Sequence, residues 1–436
     1  MLYCTGAYLA KVLFCRFAWD DILEGNDMSG TSAIDIRRAR NAVVAAFLGW
    51  TLDAFDFFIL ILTLDNVSKA FGVTIGSVAF SITLTLGTRA IGAFVFGRLG
   101  DIYGRKPILM LVIVLYSFFE AMTGFAWSFV SFMVIRTLFG IAMGGEWGLG
   151  SSLAMETIPD RWRGWVSGLL QAGYPFGFFL ATLLFDFGMQ PLGWRGMFFV
   201  GALPALLVLY IATQVEESPA FEAMKHRPTK VSIGTVLRKN MKLVVYGVLM
   251  MAAFNFFSHG TQDIYVKLFL GKQLHFTHSQ MANAGLIFNA GAIIGGILFG
   301  FLSQKIGRRY AIIGACCVSL LALYPWSHGS DFTTIAIAAF FMQIGVQGAW
   351  GVVPVHLNEL SPSEIRGTFP GFVYQLGNFV ASFNAPIQVG MAMSHGGDYG
   401  YALAVVGGVV AVVLILLMLF GPEARNVSMT HATLPE

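Results

Sequence analysis

The chain has 436 residues, of which 56% are hydrophobic and only 12% are charged, and its formal net charge at pH 7 is +3. Soluble domains carry about 25% charged residues, so this composition excludes a water-soluble enzyme and a disordered chain. With no basic domain it also excludes a nucleic-acid-binding protein. Lipid is therefore the expected surrounding of most of the chain.

Apolar runs between charged or turn-rich breaks predict twelve transmembrane helices, numbered here as spans 1 to 12. A span needs roughly 20 apolar residues, so twelve spans take about 240 residues. The predicted fold class is therefore an all-α membrane protein of twelve transmembrane helices. In chain order the spans are 41–64, 77–97, 107–126, 129–149, 164–186, 195–213, 242–266, 280–303, 310–327, 332–354, 369–393 and 400–420.

Polar segments divide the chain further. The first 27 residues hold an apolar stretch too short for a span, and they are either a mis-assigned start before Met28 or an amphipathic stretch at the membrane surface. The five predicted domains are an N-terminal segment 1–40, an N-terminal half 41–213, a central loop 214–241, a C-terminal half 242–420 and a tail 421–436.

Lysine and arginine concentrate in alternate loops, which include the central loop and the loops after spans 2 and 8. Cytoplasmic loops carry an excess of these residues. We therefore expect a multi-pass protein of the cell membrane, with the central loop and both termini in the cytoplasm.

The two halves repeat each other. GRLGDIYGRK at 97–106 matches GFLSQKIGRR at 300–309, and METIPDRWRG at 155–164 matches NELSPSEIRG at 358–367, both at an offset of 203 residues. A constant offset indicates a duplicated six-helix unit. Helical transporters built from two such halves bind their substrate near the midplane, between the halves.

Charges inside the spans cost about 2.5–3.5 kcal/mol each on insertion scales, so each needs a reason. Asp53 and Asp56 in span 1 are three residues apart and share a helix face. We expect at least one of them to bind and release a proton. The alternative is a structural carboxylate that caps a neighbouring helix or pairs with Arg89 of span 2.

Arg89 is also the first candidate to bind a carboxylate substrate, because its planar guanidinium matches a carboxylate geometrically. A permanent ion pair with Asp53 or Asp56 is the alternative. Arg136 of span 4 is a second candidate for substrate contact, with a structural role as its alternative.

Span 7 carries polar residues every four positions. His259 can titrate near neutral pH, and Asp263 can pair with Lys267. Such a face does not suit lipid, so it lines a cavity or packs on a polar helix. We expect proton handling by His259 and Asp263, with ordinary hydrogen bonding as the alternative. The predicted substrate-binding residues of span 7 are Asn255, Ser258, His259 and Gln262.

Spans 5, 10 and 11 also carry polar stripes, which indicate a central cavity or hydrogen bonds between helices. Gln347, Tyr374 and Asn378 are the predicted substrate contacts among them. No phosphate loop, metal-ligand cluster or nucleophile–base pattern is present in the sequence. We therefore expect no cofactor, no metal and no enzymatic activity.

The block at 97–106, its degenerate copy at 300–309 and the Arg136, Gly140, Gly144, Gly145 pattern resemble motifs of the major facilitator superfamily. Two E-x6-R pairs resemble the cytoplasmic charge pairs of sugar-porter-like members. Gln304 departs from the family by replacing an expected acid. Charges at these helix ends predict a cytoplasmic latch, with simple membrane anchoring as the alternative. Its residues are Asp101, Arg105, Glu156, Arg163, Glu359 and Arg366.

NFFSHGTQD at 255–263 resembles the span 7 signature of the sialate/lactate proton-symporter family, and GWTLDAFDFF at 49–58 resembles span 1 of its bacterial members. Lys267 replaces the final threonine of that signature. The resemblance implies proton-coupled uptake of a short monocarboxylate such as lactate or pyruvate. We also expect the protein to be a monomer, with the proton gradient as its energy source. Three alternatives stay open: a bulkier acid such as sialic or aromatic acid, sodium coupling, and a nutrient sensor that transports nothing.

Overall fold

The computed structural model describes residues 33–225 and 233–425, together with Val427 and Met429. The segment 1–27 and most of the tail lie outside the described residues. Seventeen α-helices are described: α1 Ala33–Phe71, α2 Ile75–Tyr103, α3 Arg105–Gly124, α4 Phe129–Met143, α5 Glu146–Thr157, α6 Arg163–Gln171, α7 Gly173–Val200, α8 Leu207–Gln214, α9 Pro219–Lys225, α10 Ile233–Lys239, α11 Met241–Gln262, α12 His278–Ile306, α13 Arg308–His328, α14 Phe332–Leu360, α15 Phe369–Ala381, α16 Asn384–Ser394 and α17 Tyr399–Phe420.

Several crossings consist of two helices. Span 4 is α4 followed by α5, span 5 is α6 followed by α7, and span 11 is α15 followed by α16. Ten helical stretches of the described chain are long and apolar enough to cross a membrane. Span 11 is not among them because α15 and α16 have only 13 and 11 residues. Span 6 is not among them because its first residues belong to α7.

The chain breaks between spans 5 and 6 at the predicted place. Two helices meet at Gly193 inside Gly173–Val200, because the φ of 64° and the ψ of 175° at this residue are not helical. Glycine adopts this left-handed conformation without a steric penalty. Span 6 is then interrupted by a 3-10 turn at Leu203–Leu206 that contains Pro204. The predicted central loop is partly helical as well, because it includes α9 and α10.

Glycines bring the two halves together at one end of the molecule. A Cβ atom on Gly168 of α6 would lie 2.3 Å from the carbonyl oxygen of Gly296 in α12. One on Gly148 of α5 would lie 2.8 Å from Cα of Gly371 in α15. These glycines therefore allow close packing of the helices. We call this end, which carries Arg105, Arg163, Arg308 and Arg366, the basic end.

A cleft between the halves opens away from the basic end. Within the described chain, the hydrogen bonds between the halves lie near the basic end. They involve residues of the N-terminal half such as Asp101, which accepts, and Ser152 and Gly164, which donate. Farther along the interface, the His259 and Asp263 side chains are 30% and 35% exposed although they lie in a membrane span. Solvent therefore reaches the middle of the molecule from the opposite end.

Candidate functional site

Aromatic side chains form the floor of the cleft, on the side of the basic end. The ring of Tyr374 lies 4.6 Å from Trp147 and 5.8 Å from Trp350, centroid to centroid. Trp50 lies 5.4 Å from Tyr174 and 6.3 Å from Tyr374. Trp147 and Trp350 occupy equivalent positions of the repeat, so each half contributes one tryptophan to this floor.

Arg89 and Asp53 form a buried ion pair above the floor. The Arg89 Nη2 to Asp53 Oδ1 distance is 2.8 Å, and the two residues are 3% and 1% exposed. The guanidinium also lies over the Phe57 ring at 5.6 Å. Arg89 Nε and Asp53 Oδ2 have no hydrogen-bond partner in the described chain. The pair therefore has hydrogen-bonding capacity that a third group can use.

Asp56 lies apart from this pair, inside the N-terminal half. Gly201 packs against both Asp56 and Glu120, because a Cβ added there would lie 3.2 Å from Asp56 Oδ1 and from Glu120 Oε1. Neither carboxylate oxygen of Asp56 has a hydrogen-bond partner among the described residues. Asp53 and Asp56 thus share a helix and have different surroundings, which their spacing alone does not show.

Arg136 does not face the cleft. Its Nη1 lies 2.7 Å from Glu120 Oε2, both side chains are fully buried, and the guanidinium stacks on Phe139 at 4.0 Å. Because the cation is paired and enclosed between helices of one half, this placement contradicts the predicted substrate contact of Arg136. The structural alternative describes it instead.

His259 is a residue of the C-terminal half that faces the cleft. Its Nδ1 lies 3.1 Å from Asp263 Oδ1 and its Nε2 lies 3.3 Å from Asn378 Oδ1. The expected pairing of Asp263 with Lys267 is not formed. Helix α11 ends at Gln262 and a π-helical segment starts at Tyr265, so the four-residue spacing no longer places the two side chains on one face.

The other predicted substrate contacts divide into three groups. Asn255 is 3% exposed and donates a hydrogen bond to the Met251 carbonyl of its own helix, so its amide does not point into the cleft as a free group. Gln262 donates to Gln343 Oε1 at 3.2 Å. Ser258 and Gln347 are half-buried, and their side chains form no hydrogen bond within the described chain. The last two remain available to a ligand.

Tyrosine hydroxyls lie between the polar groups of the two halves. The charges of Arg89, Asp53 and Asp263 all act on Tyr174, so its ring lies near groups of both halves. The hydroxyls of Tyr174 and Tyr374 form no hydrogen bond to described protein atoms. The cleft therefore offers a cation on one side, an imidazole on the other and hydroxyl donors between them, which is a set of groups that can bind a carboxylate.

Sequence reasoning missed most of the aromatic floor. Trp50 and Phe57 lie three residues before and four residues after Asp53, so they share its face of span 1. This spacing was the signal that could have predicted the two aromatic residues beside Asp53. The Trp147 and Trp350 pair was visible from the repeat, but its contact with Tyr374 requires the packing of spans 4, 10 and 11 against one another.

Ion pairs at the basic end follow the repeat. Arg105 Nη2 lies 3.1 Å from Glu156 Oε1, and Arg308 Nε lies 2.8 Å from Glu359 Oε2 at the equivalent positions. Asp101 adds a contact between the halves, because its carboxylate accepts hydrogen bonds from the backbone N–H of Gly367 at 2.7 Å and of Thr368 at 3.1 Å.

In neither E-x6-R motif of the described chain does the arginine form an ion pair with the glutamate of the same motif. Arg163 pairs with Asp160 at 2.7 Å and donates to the Val427 carbonyl at 2.9 Å. Arg366 donates to the Met429 carbonyl at 3.0 Å, and it lies 3.9 Å from Glu156 of the other half. Because a turn interrupts the helix between the acid and the arginine of each motif, the two residues are not helical neighbours.

Glu217 completes the basic end of the N-terminal half. Its carboxylate accepts hydrogen bonds from the backbone N–H of Arg105 at 3.0 Å and of Lys106 at 3.2 Å, which caps the start of α3. Burial raises the pKa of the Glu217 carboxyl above its ordinary value, while a hydrogen bond from the Ser218 N–H and the charge of Arg105 oppose that rise.

Comparisons with known proteins identify the fold and the family. A model of the family described as "Sugar (and other) transporter" matches residues 42–243 and 243–430. The chain is 31% identical to a probable 4-methylmuconolactone transporter of Cupriavidus pinatubonensis, over 89% of this chain and 91% of that protein. It is 29% identical to the sialic acid transporter NanX of Escherichia coli, over 88% and 93%.

A solved structure has the same architecture. The chain superposes on the proton:xylose symporter XylE of the major facilitator superfamily with a TM-score of 0.69, over 89% of this chain and 97% of XylE, at 19% identity. This likeness confirms the predicted fold of twelve transmembrane helices.

Proposed function

The chain belongs to the sugar (and other) transporter family, within the major facilitator superfamily, and from that membership we propose that it carries an organic acid anion into the cell together with a proton. A member of this family is a membrane transporter and not an enzyme. The observation that carries the proposal is the buried Arg89–Asp53 pair at the cleft, opposite His259 and Asp263.

Substrate binding and proton binding are coupled at Arg89. A substrate carboxylate that approaches Arg89 competes with Asp53 for the same guanidinium. A carboxylate that loses its cation in a low-dielectric site is stabilised by taking up a proton. One anion and one proton therefore enter together, and the loaded site carries no net charge beyond that of the empty one.

The halves are in contact at the basic end and apart at the opposite end, and this difference indicates how access to the site would alternate. The positive-inside rule places the basic end in the cytoplasm, so the cleft in this structure faces outward. For release, the contacts of Asp101 with Gly367 and Thr368 must break and the halves must rock apart at the basic end. The latch role of these charges is part of this proposal.

The span 7 signature at 255–263 supports a short monocarboxylate, as in the sialate/lactate proton symporters. A bulkier acid is the second candidate, and a specific observation favours it. The half-buried rings of Phe57, Phe58 and Tyr174 pack on one another, and the Arg89 guanidinium lies over Phe57. Aromatic rings beside the cation suit an unsaturated or ring-containing acid. The two relatives named for 4-methylmuconolactone and sialic acid support the same candidate.

A substrate panel in proteoliposomes tests the proposal. Labelled L-lactate, pyruvate, cis,cis-muconate and N-acetylneuraminate are offered under an inward proton gradient, under an inward sodium gradient and under none. We expect accumulation of at least one acid under the proton gradient alone. D-Xylose is the neutral control and should not accumulate.

Three outcomes contradict the proposal in different ways. Accumulation that needs sodium instead of protons overturns the proton coupling. Accumulation of xylose and of no acid overturns the anion site. Binding of an acid without any accumulation supports the alternative of a nutrient sensor.

A further inference from the structure

Glu146 is a buried acid that the coupling scheme above does not use. It is the first residue of α5, directly after the break between α4 and α5 at Gly144 and Gly145. The residue is 1% exposed, and its Oε2 atom has no hydrogen-bond partner in the described chain. Its Oε1 atom packs on Gly49 of α1, where an added Cβ would lie 2.3 Å away.

The ionisable groups around Glu146 come from four helices. Asp53 of α1 and Arg89 of α2 act on it directly. Its own charge acts on Tyr116 of α3 and on Tyr374 of α15. Arg89 is the one cation in this set of described neighbours, and it is already paired with Asp53. An ionised Glu146 would therefore be a buried charge without a partner, so Glu146 holds a proton while the basic end is closed.

A small cavity lies beside this carboxyl group. Its volume is about 10 Å³, close to the space that one water molecule needs. Trp50, Trp147 and Ser151 of the N-terminal half line it together with Pro354 of the C-terminal half. The cavity therefore crosses the boundary between the halves, and it lies on the basic-end side of the Arg89–Asp53 pair.

Contacts between the halves close this cavity toward the basic end. Asn358 Nδ2 donates to Ser151 Oγ at 3.3 Å, and Ser152 Oγ donates to Asn358 Oδ1 at 2.9 Å. When the halves separate at the basic end, these bonds break and Pro354 withdraws from α5. The cavity then joins the cytoplasmic water, and this water reaches the Glu146 carboxyl that lines the cavity.

We propose that Glu146 is the group through which the coupled proton leaves on the cytoplasmic side, a role that rests on the proposed function. Once the substrate has dissociated inward, the Glu146 carboxyl gives its proton to water. The resulting carboxylate takes the proton of Asp53, and the Asp53 carboxylate pairs with Arg89 again. One proton has entered at Asp53 and one has left at Glu146, so the cycle balances.

The test is Glu146→Gln in the full-length protein, with the acid of the panel that the wild type accumulates. A gradient of one pH unit can drive about tenfold accumulation by the wild type, since 1.4 kcal/mol is a factor of ten in an equilibrium constant. The glutamine cannot release a proton. We expect the variant to equilibrate the acid without accumulating it, and to exchange labelled for unlabelled acid at the wild-type rate, because exchange returns a loaded carrier.

Glu222→Gln is the matched control, because it removes an exposed carboxylate of α9 at the same end of the molecule. It should behave as the wild type. Glu146→Asp keeps a titratable carboxyl and should reach the wild-type accumulation ratio more slowly. This second variant decides the question if Glu146→Gln does not fold.

The results separate this inference from the proposed function. Full accumulation by Glu146→Gln, or equal loss of exchange and accumulation, overturns the role of Glu146 while the wild-type proton dependence stands. An aspartate variant that exchanges but never accumulates also overturns it. A wild-type protein without proton-driven accumulation overturns the proposed function itself, and the Glu146 role with it.

Discussion

Equivalent positions of the two halves carry different kinds of side chain inside the membrane. At the basic end the halves agree, since Arg105–Glu156 and Arg308–Glu359 form the same ion pair at an offset of 203 residues. Within the spans they differ. Four charged residues in the spans of the N-terminal half have apolar counterparts in the C-terminal half: Arg89 and Ala292, Glu120 and Leu323, Arg136 and Ala339, and Glu146 and Ala349.

The alanine and leucine counterparts show that the six-helix unit folds without buried charge at these positions. Because each buried charge has an insertion cost, Arg89 and Glu146, which are not enclosed in a structural pair like Arg136–Glu120, are expected to serve transport and not the fold. The C-terminal half contributes polar groups at Ser258, His259 and Asn378 instead. We infer a division of labour in which the N-terminal half binds the anion and the proton, and the C-terminal half orients the substrate.

The largest expected effect is that of Arg89→Gln. Loss of one partner of a buried, hydrogen-bonded charge pair costs about 2–5 kcal/mol, so substrate affinity should fall about 100-fold. Equilibrium binding and exchange in proteoliposomes measure it. The exposed Arg238→Gln on α10 is the control for loss of positive charge. Uptake that persists in Arg89→Gln would move the anion site to the C-terminal half.

Arg136→Gln should affect stability more than transport specificity. It leaves Glu120 unpaired in the interior, which costs about 3–5 kcal/mol. The double variant Arg136→Gln/Glu120→Gln should recover most of that loss, since no uncompensated charge remains. Unfolding midpoints in detergent measure both. A single variant as stable as the wild type would show that the Glu120–Arg136 pair is dispensable.

Asp101→Asn should weaken closure of the basic end. Hydrogen bonds to a charged acceptor contribute about 1.5–3 kcal/mol, and the substitution removes that charge from the contacts with Gly367 and Thr368. Distances between spin labels at the basic end should report a larger open fraction. Gln304→Asp, which adds an acid at the equivalent position of the other half, is the comparison variant. An unchanged open fraction in Asp101→Asn would contradict the latch.

The smallest expected effect is that of His259→Asn. The loss of one hydrogen bond to the substrate should weaken binding by about 1 kcal/mol, so KM should rise about fivefold. The accumulation ratio under a proton gradient should not change, because the proposed proton site lies in the N-terminal half. Initial-rate kinetics and the final accumulation ratio test this together. A loss of accumulation would break the proposed division of labour and place a proton on the His259–Asp263 pair.

Much of the architecture could be predicted because it depends on local composition. Apolar runs predict twelve crossings, and the 203-residue offset predicts two equivalent halves. The breaks inside spans 4, 5 and 11 could not be predicted, since a helix break at membrane depth persists only where neighbouring helices satisfy the exposed backbone.

The sequence alone determined which residue types lie in the membrane and which helix they belong to, so Arg89, Asp53 and His259 were found as candidates. Their partners were decided by tertiary structure. Asp56 lies near Glu120 and apart from the cleft. Arg136 is buried in an ion pair with Glu120. Glu146 Oε2 has no hydrogen-bond partner among the described residues. The physical reason is that an ion pair depends on distances of a few ångströms between helices far apart in the chain, and helix packing sets those distances.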